Sequence, residues 1–98
     1  MYFVTCFQKY EIDETGFPNI GAARTYGYYN DRDVAIRMVE LNNLDICECL
    51  YDYAVIEYIT EGLYNLAEER IFFKWDDDTR MYKMIEPIVD HCGNFAFG

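Results

Sequence analysis

A chain of 98 residues that is 52% hydrophobic holds enough apolar material for a core, and its length suits a single domain. Its formal charge of −10, with only eight Lys and Arg, excludes a default reading as a nucleic-acid or anionic-membrane binder, because phosphate is held by basic side chains. The acidity suits a basic partner, or solubility alone.

Residues 2–9, YFVTCFQK, are β-branched and aromatic and predict a strand. Tyr2, Val4 and Cys6 share one face, and Phe3, Thr5 and Phe7 the other. Residues 10–21 carry Gly16, Pro18, Asn19 and Gly21 and predict a long hairpin loop. Residues 22–29, AARTYGYY, return as the second strand. Asn30 is placed to cap a helix over DRDVAIRMVELN, with Asp31 and Asp33 at its positive end. Val34, Ala35, Met38 and Val39 recur at helical spacing, and Asn42 and Asn43 can end the helix. Residues 44–52, LDICECLYD, are compatible with a helical turn or an irregular connection. Strands are predicted over 53–60, 69–75 and 81–86, with residues 76–80 as the hairpin between the last two and Pro87 as the stop. The closing IVDHCGNFAFG is apolar and is expected to pack back on the sheet.

The expected fold is therefore a single α+β domain over residues 1–98. An antiparallel sheet of about five strands, in the order β-β-α-β-β-β, carries one main helix on one face. The other face is expected to be partly exposed, with ten Tyr, seven Phe and one Trp supplying much of the packing. The N-terminal MYFVTCFQKYEID has no basic region before its short, broken apolar run, and no stretch approaches the ~20 apolar residues of a membrane span. The reading is cytoplasmic, with four reduced cysteines.

Motifs for chemistry are thin. The chain has no serine, so a Ser nucleophile is excluded. His91 with Cys6, Cys47 or Cys49 offers a Cys–His pair in principle, but a structural histidine in an apolar tail explains it as well. Cys47, Cys49, His91 and Cys92 match a zinc site by count and not by spacing. Asp76, Asp77 and Asp78 lack the spacing of a calcium loop and its distal Glu. The expectation is no catalytic residue, no metal and no cofactor.

One charge feature rises above composition. No basic residue lies between Arg37 and Arg70, yet that interval holds Glu40, Asp45, Glu48, Asp52, Glu57, Glu61, Glu68 and Glu69, and KWDDDTR follows at 74–80. This is either a solvated acidic face or an interaction surface. Carboxylates two apart on a strand lie about 6.6 Å apart. A DNA strand carries a charge every ~3.4 Å, so such a face could occupy a basic groove. The candidate partner-binding residues are Glu57, Tyr58, Glu61, Glu68, Glu69, Trp75, Asp76, Asp77 and Asp78. Tyr58 and Trp75 are the aromatic anchors that interfaces favour.

The segments YFVTCFQK, PNIGAARTYGYY, LYDYAVIEY, FFKWDDD and NFAFG resemble those of short acidic proteins of gut Firmicutes and their phages and mobile elements. Proteins of that size and setting are often similar to anti-defence proteins, including anti-CRISPR inhibitors that imitate DNA. The resemblance implies a non-enzymatic inhibitor of a defence nuclease in the bacterial host cytoplasm. Its partner would be a basic protein such as a CRISPR effector, with no direct nucleic-acid or membrane contact. Two alternatives stand beside it. One is a sponge for a nucleotide signal, using Arg24, Arg32 and Arg37. The other is a self-associating protein, such as a homodimer.

Overall fold

The computed structural model describes residues 1–63, 65–88 and 94–96. Among the described residues, seven strands and one α-helix run β1 (Tyr2–Phe7), β2 (Glu11–Ile12), β3 (Pro18–Asn19), β4 (Ala23–Tyr29), α1 (Arg32–Glu40), β5 (Tyr53–Tyr58), β6 (Glu69–Asp76) and β7 (Met81–Ile85). Five of them form one antiparallel sheet in the spatial order β4-β1-β5-β6-β7. The expected α+β class is observed. The predicted 10–21 loop is more regular than expected, because β2 and β3 pair as a small hairpin of their own. Asp13 organises its tip, accepting from the amides of Thr15 and Phe17, both at 2.9 Å.

The β1–β4 pairing carries a bulge. Val4 faces Gly27 and Thr5 faces Thr25, so Tyr26 is the extra residue. A bulge on an edge strand re-aims a side chain. Here the Tyr26 hydroxyl reaches the Glu48 carboxylate, which also takes Arg24 at 3.1 Å.

The helix starts one residue later than the sequence suggests. Asp31, not Asn30, is the cap, and its carboxylate accepts from the Val34 amide at 3.1 Å. Both residue types cap well, so the sequence alone does not separate them. Ala35 and Val39 are fully buried on one side of the sheet, among Val4, Cys6, Ala54, Ile56, Ile71, Phe73 and Tyr82. Tyr82 closes this core: its hydroxyl donates to the Tyr51 carbonyl at 2.7 Å. Leu41 ends the helix and Asn42 turns left-handed after it.

The ambiguous 44–52 stretch is an irregular connection opened by a short 3-10 turn at Asn43–Asp45. Five L-residues here hold positive φ: Asn42 (51°), Leu44 (58°), Asp45 (56°), Glu48 (51°) and Cys49 (56°). Each costs free energy relative to an ordinary conformation. Buried Ile46 and Cys47 pin the loop, and the Asn42 side chain accepts from the Cys47 amide at 2.9 Å.

The opposite sheet face is partly exposed, as expected, with Tyr28 half exposed beside Phe3. It carries Phe7, Val55 and Phe72, and the closing segment covers them. Phe95 lies over Phe7 with ring centroids 4.9 Å apart and meets Phe72 edge-on at 5.5 Å. The expected return of the tail onto the sheet is thus observed for 94–96; His91 and Cys92 lie outside the described residues.

Candidate protein-binding surface

Glu57 does not belong to an acidic surface. It is fully buried, the correction that the fold imposes on the nine candidates. Its position on β5 is opposite Phe3 of β1 and Arg70 of β6. The carboxylate accepts from the Phe95 and Ala96 amides at 2.9 and 2.7 Å and from Arg70 Nε at 3.0 Å. Asn94 completes the clamp. Its side-chain oxygen accepts from the Ala67 amide at 2.8 Å and from Arg70 at 3.2 Å, and its nitrogen donates to the Asn65 carbonyl at 2.8 Å. A buried carboxylate persists only when paired and hydrogen-bonded, and Glu57 meets both conditions.

The other eight candidates fall into two groups at opposite ends of β6. Glu69 opens the strand and Asp76 closes it. Seven strand steps put them about 23 Å apart. At the first end, Glu61 and Glu68 are exposed. Glu69 is engaged by Arg32 Nε at 3.1 Å, and Tyr58 packs on Tyr2 at 4.8 Å between ring centroids. Arg70 and Lys74 lie on the strand between the two ends, so no continuous acidic strip exists.

At the second end, each Asp of the KWDDDTR turn has its own surroundings. Asp76 holds the turn: it accepts from the Asp78 amide at 3.2 Å and the Thr79 hydroxyl at 3.0 Å, and pairs with Lys83 at 2.9 Å. Lys83, then Thr79 and the Asp78 amide, hold its carboxyl below the usual aspartate range. The resulting stabilisation is present above the ordinary value of about 3.9 and fades as the pH falls below it through the folded value. Asp77 accepts from the Trp75 indole at 2.9 Å, so it too is tied into the turn. Asp78 is exposed.

Trp75 sits at the centre. Its ring meets Tyr82 edge-on at 5.1 Å, and the Arg80 guanidinium lies 5.6 Å from its centroid. Its backbone amide donates to the Asp52 carbonyl at 2.7 Å. The sheet register explains that bond, since Tyr53 faces Lys74 and the next pair outward is Asp52 with Trp75. The strained 42–49 loop lies alongside. Asp45, Cys47, Cys49, Asp52, Trp75, Asp77 and Arg80 together line a cleft of about 260 Å³. Asp45 and Asp52 stand in the acidic interval of the sequence, but only the β5–β6 register shows that they meet the 76–80 turn.

The three candidate cations for a nucleotide do not converge on a phosphate site. Arg24 is committed to Glu48 and Arg32 to Glu69. Among the described residues no group of three or more His, Cys, Asp or Glu is placed to hold a metal ion, and no helix is long and apolar enough to cross a membrane. Cys6, Cys47 and Cys49 are free thiols. Burial pushes the Cys6 thiol up to about 12, against the pull of the Tyr82 hydroxyl. Thiolate is the reactive form, so a native protein treated with iodoacetamide near pH 8 is expected to label Cys49 and spare buried Cys6 and Cys47 until it unfolds. Peptide mass spectrometry reads the order, and early modification of Cys6 would contradict the packing around Tyr82. No protein-family model, curated protein or solved structure matches the chain.

Proposed function

We propose that the chain is a non-enzymatic inhibitor that binds a basic protein, its acidic end occupying a nucleic-acid groove of a defence nuclease in the bacterial cytoplasm. The CRISPR effector class follows from the sequence resemblance. The observation that carries the reading is the convergence of Asp45, Asp52 and Asp77, from segments distant in sequence, on the cleft around Trp75. Asp78 lies exposed beside them. Negative charge around an aromatic anchor is suited to a partner rich in Arg and Lys. Here the acidic residues of the 45–52 loop and the 76–80 turn replace the single long acidic face expected from sequence. Glu61 and Glu68, at the far end of β6, form a separate patch outside this contact.

Displacement of labelled duplex DNA from purified CRISPR nuclease–guide complexes tests the reading. The parent chain is expected to displace DNA at low salt and to lose potency as ionic strength rises. Asp45→Lys, Asp52→Lys and Asp78→Lys together are expected to weaken inhibition at least tenfold, about 1.4 kcal/mol, mostly through slower association. Asp76 and Asp77 are left intact because both hold the turn. Equal potency of the triple variant would remove this end of the sheet as the contact surface.

A further inference from the structure

A second surface lies on the flank of the molecule where α1 meets the edge strand β4. The helix buries Ala35 and Val39 against the sheet. On a neighbouring stripe it presents Val34 (42% exposed), Met38 and Leu41 (57% exposed). The stripe continues into Leu44, which is 91% exposed and held at a φ of 58°. Beside it lies a cleft of about 250 Å³ whose lining includes Tyr26, Tyr29, Met38 and Leu44. A leucine held in water by a strained backbone, next to an apolar cleft, has no role in the fold of the single chain.

Charge says what covers this flank. Of the eight basic residues, seven have an ion pair or lie over an aromatic ring. Arg37 has neither among the described residues, and it is exposed on α1 at the border of the stripe. An unengaged cation here calls for an acidic partner and opposes a basic one. At its C-terminal end α1 carries Glu40, one turn from Arg37, so the chain itself supplies the complement.

We infer that this flank is a twofold interface between two copies of the chain. The helices run antiparallel, the Leu44 of each copy enters the cleft of the other, and each Arg37 meets Glu40 of its twin. A twofold contact needs a patch that is its own complement, and a knob beside a cleft with both charge signs meets that need. The acidic end around Trp75 is not part of this contact, so either proposal can fail alone.

Sedimentation equilibrium of the full chain is the test. The parent is expected to dimerise with a dissociation constant on the order of 10 μM, the strength of a small interface. Leu44→Gly is expected to weaken the dimer at least tenfold while the monomer melts no lower, because glycine tolerates positive φ. Arg37→Glu alone, and Glu40→Arg alone, should each be monomeric. Mixed together, these two variants should form a heterodimer, a recovery that a folding defect cannot produce. A parent that stays monomeric at about 1 mM overturns the proposal. So does a dimer that Leu44→Gly and Arg37→Glu leave unchanged, or a mixture that fails to associate.

Discussion

Glu57→Ala is expected to cost about 3–5 kcal/mol of stability, the effect of removing one partner of a buried ion pair. For a domain near this size that is a fall in melting temperature on the order of 15 °C or more. The substitution leaves the Phe95 and Ala96 amides and the Arg70 guanidinium without the acceptor they share. It also loosens Phe95 from Phe7 and Phe72, so an apolar sheet face gains access to water. Glu57→Gln keeps the volume and one acceptor oxygen, but turns an amide nitrogen toward donors; it is expected to fall between Ala and the parent. Thermal unfolding followed by circular dichroism gives the stabilities. Hydrogen exchange at the Phe95 and Ala96 amides separates local release from global unfolding. A Glu57→Ala protein within 1 kcal/mol of the parent would mean that the carboxylate does not hold the closing segment.

Glu57 also shows where a sequence stops being informative. In YAVIEY the alternation puts Tyr53, Val55 and Glu57 on one face and Ala54, Ile56 and Tyr58 on the other, so both faces are largely apolar. That pattern belongs to a central strand, and β5 is one. A charge in such a strand is a candidate for buried pairing, a signal present in the sequence but outweighed by the usual exposure of Glu. The amides that satisfy it lie 38 and 39 residues downstream, which no local pattern reveals. The five sheet strands were legible because β-branched and aromatic alternation is a local property. The meeting of Asp45 and Asp52 with the 76–80 turn was not, because it depends on strand register and on a loop held at positive φ by Asn42 and buried Cys47. The same limit applies to charge. The interval from Glu40 to Glu69 contains no basic residue, yet Arg24, Arg32 and Arg70 reach Glu48, Glu69 and Glu57 from outside it. The fold therefore divides an apparently uniform acidic stretch into paired carboxylates and a smaller exposed set.

Replacing Trp75 is expected to affect stability and binding by separable amounts. Its ring packs on Tyr82, itself fully buried, while part of the indole remains open beside Asp77 and Arg80. Trp75→Ala removes that packing and is expected to cost about 3 kcal/mol, the low end for a large aromatic because the site is not fully enclosed. Trp75→Phe keeps a ring against Tyr82 and loses the hydrogen bond to Asp77, a cost of about 1 kcal/mol. If the cleft is the contact surface, Trp75→Phe should weaken binding by about 2 kcal/mol, more than it weakens the fold, since the indole edge and the carboxylate it orients both face the partner. Trp75 is the only tryptophan, so its fluorescence reports on this cleft without labelling. Saturation with a basic nuclease that contains no tryptophan near its groove should shift the emission, and added salt should reverse the shift in parallel with inhibition. Full inhibition with unchanged emission, together with a Trp75→Phe chain as potent as the parent, would place the contact elsewhere and leave KWDDDTR as a turn that serves only the fold.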